Sequence, residues 1–187
     1  MRVYTCLKQQ TFFKNNYSIT AIRDEDKYAI MQWRNEQIDI LRQAKPLTKA
    51  DQESYFENVV AKLFTQEKPT QLLFSFFENG KLIGYGGLVH IDWESKNAEI
   101  SFLLETSRNA DDATFANDFT PYLQLLIQIS KAELHFFKLH TTFYNLPERM
   151  LYKKIVEQER FVKEAVLENH KLINGQLEDV YIYSKFL

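Results

Sequence analysis

The stretch "SFLLETSRNADDATF" (101–115) joins an apolar run to a helix-forming one. Such strand-to-helix junctions hold phosphate in many α/β enzymes, because backbone N–H groups and the helix dipole converge there. Those loops are usually rich in glycine, and this one has none; it carries Asp111 and Asp112 instead. Aspartate tolerates positive φ better than most residues, but its charge repels a phosphate at close range. The same two acids suit a helix N-terminus that binds nothing, since negative charge is stabilising there. A cationic feature is Arg34 and Arg42, eight residues apart near one face of a helical segment. They suit a phosphorylated or acidic substrate, or are ordinary surface arginines. His135, His140 and His170 have no metal-ligand spacing with Cys6, so no metal is expected. Cys6 has no identifiable activating base and is not a nucleophile.

These residues need elements to hold them. "YSITAI" (17–22) alternates like a strand. Asp24 then suits the cap of a helix through "DKYAIMQWRNEQIDILRQ", with Ile30, Trp33, Ile38 and Leu41 on one face and Pro46 as its breaker. Thr48 restarts a helix whose face is Tyr55, Phe56, Val59, Val60 and Leu63. "QLLFSFFE" and "KLIGYGGLVHID" flank Asn79-Gly80, a hairpin signal because both positions tolerate positive φ. "NAEISFLLE" is a third consecutive strand. "PYLQLLIQISKA" is helical, starting either at the Thr120-Pro121 cap or near Asn117 with Pro121 inside its first turn. "ELHFFKLHTTFYN" (133–145) reads as a strand, "PERMLYKKIVEQE" (147–159) as a helix, and the end as a second hairpin around Asn174-Gly175. The order β-α-α-β-β-β-α-β-α-β-β predicts one α/β domain over 1–187, with a mixed, mostly antiparallel sheet of about seven strands and helices on both faces.

That order resembles the GNAT acyltransferase superfamily, which moves acyl groups from coenzyme A to amines. The resemblance spans the chain from "YSITAIRDED" to "DVYIYSKF" and rests on "GKLIGYGGL", "NAEISFLLE", "LHFFKLHTTFYN", the "LINGQLEDVYIYS" tail and the seven-residue spacing of Asn145 and Tyr152. It implies acetyl-CoA as acyl donor. The donor's pantetheine arm and carbonyl would meet backbone N–H groups near Phe102, Leu103 and Leu104. Its pyrophosphate would lie at Arg108, Asn109, Ala110, Asp111, Asp112 and Ala113, where the family's central glycine is Asp111. Arg160-Phe161 stands, about a helical turn late, where the family has Gly-Phe.

Amine acylation needs a neutral nucleophile, a polarised carbonyl and a proton for the departing thiolate. The resemblance makes Glu99 the acceptor of the amine proton, although strand alternation also permits a plain solvent-facing residue. Tyr152 would protonate the thiolate or simply pack. Asn145 would bond the cofactor's amide chain or merely end a strand before Pro147. His90 is a second base or a structural histidine. Trp33, Arg34, Asn35, Arg42 and Gln43 resemble the first helix of relatives that acetylate amino groups on nucleotide-linked sugars, and would line the acceptor side.

The remaining bounds come from composition. A chain of 187 residues with net charge −2 and no basic stripe disfavours nucleic acid. A lone cysteine, a start without an apolar leader and the lack of a membrane-length apolar run point to a cytoplasmic protein without a membrane partner. The expected reaction is acetyl transfer to a primary amine of a small molecule or nucleotide-linked amino sugar. The competing expectation is a non-catalytic domain of the same fold that binds a ligand or protein partner. The oligomeric state stays open, a homodimer included.

Overall fold

A strand that is apolar at every position needs cover on both faces, whereas strict alternation needs cover on one. "LLFSFF" and "YSITA" differ in that way, and the computed structural model of the protein, which describes residues 2–41 and 43–187, places them accordingly. The strands are β1 (Thr11–Lys14), β2 (Tyr17–Ala21), β3 (Leu72–Glu78), β4 (Lys81–Asp92), β5 (Asn97–Leu104), β6 (Lys138–Tyr144), β7 (Val162–Ile173) and β8 (Gln176–Phe186). β2 alternates between buried and half-buried positions, while six consecutive residues of β3 are buried. The eight strands form one sheet in the order β1-β2-β3-β4-β5-β6-β8-β7. Asn79-Gly80 and Asn174-Gly175 both take positive φ, which matches a tight turn to the twist of a hairpin.

The helices are α1 (Lys27–Glu36), α2 (Lys49–Tyr55), α3 (Ala61–Leu63), α4 (Thr106–Asn109), α5 (Asp112–Ala132) and α6 (Met150–Gln158). They cover both faces. Phe102 of β5 meets Phe115, Phe119 and Tyr122 of α5. Its neighbour Leu103 pairs in register with Tyr85, whose hydroxyl accepts a hydrogen bond from Arg34 of α1 at 2.7 Å. Adjacent strand residues point to opposite faces, so α1 and α5 sandwich the sheet.

Several boundaries differ from the sequence reading. An eighth strand, β1, pairs with β2 around Asn15, whose φ is 54°; four residues of "TFFK" carry no usable period. The first helix ends at Glu36, and a 3-10 turn at Ile38–Ile40 follows, so Ile38 and Leu41 leave the α1 face. Gln37 is drawn away there, its amide donating to the Leu104 carbonyl at 2.8 Å. Asp24 opens a 3-10 turn and makes no side-chain cap. Thr48 and Asp51 do form a reciprocal capping box for α2. A π turn at Phe56–Val60 then rotates the register, burying Phe56 and Val60 while Tyr55 and Val59 are exposed. The long helix α5 starts at Asp112, ahead of either expected start, and carries Pro121 within it. β6 begins at Lys138, because 133–137 turns between α5 and the strand, with His135 at φ 52°.

The feature that makes a site is an interruption of the sheet. β5 stays paired with β4 as far as Leu104, but pairs with β6 only through Asn97–Glu99 against Lys138–His140. β6 meanwhile stays paired with β8 to Tyr144. Beyond Glu99 and His140 the two parallel strands therefore part.

Candidate active site

The parted strands border a cavity of about 350 Å³. Glu99, Ser101 and Phe102 line it from β5, and Thr141, Thr142 and Phe143 from β6. Beyond Glu99, the β5 edge that faces β6 has no ladder partner on β6, so its backbone groups border the gap.

Glu99 stands at the apex of the split. It is 7% exposed, which removes the reading of a plain solvent-facing residue. Its Oε2 lies 3.7 Å from Nε2 of His90. His90 sits in a β-bulge of β4, between Val89 and Asp92, at φ 49°. A bulge re-aims the side chain it carries, and here it turns a largely exposed imidazole over the cavity mouth beside the carboxylate.

Tyr152 comes from α6, which packs it beneath the opposite wall. Its ring stacks on Phe119 at 4.5 Å and meets Phe143 at 5.1 Å. The hydroxyl shares a 2.6 Å hydrogen bond with Oγ1 of Thr141. Burial raises the phenol pKa above its ordinary value, so the hydroxyl keeps its proton at neutral pH. It lines the same cavity as Glu99. A buried carboxylate and a phenol that holds its proton thus share one space. Asn145 follows the end of β6, where its backbone N–H donates to the Asp179 carbonyl at 2.9 Å; its side chain is half-buried.

The loop between β5 and α5 is organised differently from the phosphate cradle that its place suggests. Arg108 forks onto Asp118, with Nε donating at 2.6 Å and Nη2 at 2.8 Å, and Nη2 also donates to Glu78 at 2.8 Å. Asp118 is fully buried and accepts a third hydrogen bond from the Tyr17 hydroxyl at 3.0 Å. The Arg108 guanidinium is therefore directed at β3 and α5, tying the loop to the sheet, rather than presented as a free phosphate ligand. Asp111 is the N-cap of α5, its Oδ1 accepting from the Thr114 N–H at 2.8 Å. The hydrogen bonds from Thr114 hold its carboxyl below the usual carboxylate range. Asp112 and Ala113 are exposed beside it, and Asn109 and Ala110 close the short α4 turn. The helix start already carries an anion of its own. Leu103 and Leu104 point into the core, so only their backbone is available to a ligand.

On the acceptor side, Arg34 lines the cavity while donating to the Gln43 side chain at 2.9 Å and to the Tyr85 hydroxyl. Trp33 is buried in the core with Ile30 on the apolar face of α1, and so presents no aromatic surface to a substrate. Asn35 clamps the following loop instead of facing a ligand. Its Oδ1 accepts from the Leu47 N–H at 2.7 Å and from Gln43 at 3.1 Å, and its Nδ2 donates to the Leu47 carbonyl at 2.9 Å. Arg42 lies outside the described residues. The cavity also contains Arg149 and Thr141, which sequence reasoning passed over; an arginine near a helix start looks like a solvated surface residue. Among the described residues no three of His, Cys, Asp and Glu could hold a metal ion.

A sheet that parts between two neighbouring parallel strands, over a cavity with a carboxylate on one wall and a phenol on the other, defines the class: an α/β domain of acetyltransferase type. The chain belongs to the GNAT family, matching the acetyltransferase (GNAT) domain over residues 19–179. Among solved structures, it is similar to spermidine N-acetyltransferase from Vibrio cholerae in complex with CoA and spermine. That match has 16% identity and a TM-score of 0.78, covering 92% of this chain and 96% of the other. The dodecameric form of a spermidine N-acetyltransferase from the same organism matches at 18% identity and TM-score 0.73, covering 92% and 95%. A protein described as a probable acetyltransferase matches at 17% and 0.71, covering 92% and 94%. No curated protein sequence matches the chain. Among the described residues no helix is long and apolar enough to cross a membrane.

Proposed function

We propose that this protein transfers an acetyl group from acetyl-CoA to a primary amine of a small molecule, amino sugars included. The observation that carries the reading is the meeting of Glu99 and Tyr152 in one cavity between the parted strands. The residues suit the donor at its reactive end. The unpaired β5 edge by Ile100, Ser101 and Phe102 offers backbone groups to an extended amide chain. Bound there, acetyl-CoA supplies an activated thioester. Glu99 takes the ammonium proton, with His90 beside it at the cavity mouth, and leaves the amine nucleophilic. The amine attacks the thioester carbonyl and the C–S bond breaks. The Tyr152 hydroxyl, kept protonated by burial and oriented by Thr141, delivers a proton to the departing sulfur and regains the one released by the acylated nitrogen. CoA in the complex of the V. cholerae neighbour supports the donor, and the polyamine named for that protein supports an amine acceptor.

A second reading, a domain that binds without catalysis, is favoured by the Asp111 cap and by the engagement of Arg108 with Asp118. The two separate experimentally. Calorimetry with acetyl-CoA, then thiol release over a panel of primary amines, is the test. In the transferase reading acetyl-CoA binds. Glu99→Gln and Tyr152→Phe then each lower turnover by roughly a hundredfold while leaving acetyl-CoA affinity near wild type. Full activity in both variants removes these roles, and absence of acetyl-CoA binding removes the transferase reading.

A further inference from the structure

The wall of the active-site cavity opposite the catalytic carboxylate holds a cation without an anion to match. Arg149 ends the 3-10 turn Pro147–Arg149 just before α6 and reaches across to the α1–α2 connection, where Nη2 donates to the Ile40 carbonyl at a long 3.3 Å. Its Nε is buried and has no hydrogen-bond partner among the described residues. The guanidinium lies 5.6 Å from the centre of the Tyr152 ring. No carboxylate forms an ion pair with it among the described residues, and its neighbour in sequence, Glu148, is exposed. A desolvated guanidinium with an idle donor is costly unless something completes it.

The surroundings indicate what does. Arg149, Ile40, Thr142 and Phe143 form a wall shared with a second cavity of about 320 Å³. His170 and Lys171 of β7 line that second cavity, and no Asp or Glu does among the described residues. Glu99 thus lines the first space only, whereas Arg149 lines both and is joined in the second by His170 and Lys171.

We infer that the acceptor is an amine that also carries an anionic group, a carboxylate or phosphate, which Arg149 binds while the amine lies at Glu99. Arg149 is then a specificity-determining residue, because its planar fork matches an oxyanion and opposes a second ammonium. A polyamine would place like charge against it. The inference rests on the acetyl-transfer reading and deepens it.

The test uses the full chain saturated with CoA and titrated calorimetrically with 4-aminobutanoate, phosphoethanolamine and putrescine. At least one anion-bearing amine should bind about tenfold more tightly than putrescine. Arg149→Ala should remove that preference, weakening the anionic amine by roughly ten- to hundredfold, and leave acetyl-CoA affinity unchanged. Arg149→Gln, which keeps a donor for the Ile40 carbonyl, should behave like Arg149→Ala and guards against a folding defect. Equal or tighter binding of putrescine overturns the inference, as does failure of both anionic amines to bind. Loss of acetyl-CoA affinity in the variants also overturns it, by assigning Arg149 to the cofactor. If wild-type protein fails to bind acetyl-CoA, the acetyl-transfer reading itself has failed, which is a separate result.

Discussion

Replacing Asp118 with alanine should destabilise the protein by about 3 kcal/mol and loosen the loop that leads into α5. The carboxylate is fully buried and accepts three hydrogen bonds, two from the Arg108 guanidinium and one from the Tyr17 hydroxyl. Removing one partner of a buried ion pair costs about 3–5 kcal/mol, because the other charge is left without compensation. Two considerations place Asp118→Ala at the lower end. Arg108 is 19% exposed, and it keeps Glu78 at 2.8 Å. The stranded Tyr17 hydroxyl, worth about 1 kcal/mol, keeps the loss from falling below that end. For a chain of this length, about 3 kcal/mol corresponds to a fall in melting temperature of roughly 6–12 °C. Urea denaturation followed by far-UV circular dichroism measures the first quantity and a thermal melt the second. Asp118→Asn, which keeps one carbonyl acceptor, should lose less. Hydrogen exchange at residues 106–112 should rise in step, because Arg108 anchors that loop. A loss below about 1 kcal/mol, or a loss with unchanged exchange in the loop, would refute the assignment of Arg108 as its tether.

The loop before α5, proposed to face the donor's pyrophosphate, makes a separate prediction: Asp111→Asn keeps an oxygen for the Thr114 N–H but removes the charge, so acetyl-CoA should bind severalfold more tightly at low salt with stability nearly unchanged. Unchanged affinity by calorimetry would show that the start of α5 does not meet the phosphates. Gly87→Ala places a Cβ 1.9 Å from the Leu72 carbonyl oxygen, between backbones that cannot both move, and should cost more than about 4 kcal/mol. Soluble yield and a wild-type melt would contradict that clash. For pH, burial holds the His140 imidazole below its ordinary 6.5, with Glu99 and Glu164 opposing the shift. The unfolded chain therefore takes up its proton first, and stability falls as pH drops from about 6.5 toward the folded value. His140→Gln should flatten the stability curve over that window; an unaltered slope in urea titrations assigns the acid loss to other groups.

Much of the fold was legible in the chain because its signals are local. The Asn-Gly turns, the all-apolar "LLFSFF" and the Thr48 capping box each depend on residues within a few positions of one another, where backbone preference and side-chain period act directly. The order of these elements was enough to bring the GNAT resemblance into view, and Glu99 and Tyr152 with it. Local rules failed where a distant group competes. Gln37 leaves the helical path for the Leu104 carbonyl, 67 residues on, and the first helix stops there. In the sequence Asp111 reads either as an obstacle to phosphate or as an acid at a helix N-terminus; that it is the capping residue itself shows only once the helix start is known. The chain alone also left the Arg108 tether unseen, since Glu78 comes from β3, 30 residues away. Above all, the cavity proposed as the active site borders the place where β5 and β6 pair for three residues and then part. Nothing in either strand's own period records that parting. It is decided by long-range pairing, β5 holding to β4 as far as Leu104 while β6 holds to β8 as far as Tyr144, and beside the same cavity Arg149 meets Ile40, 109 residues away in the chain.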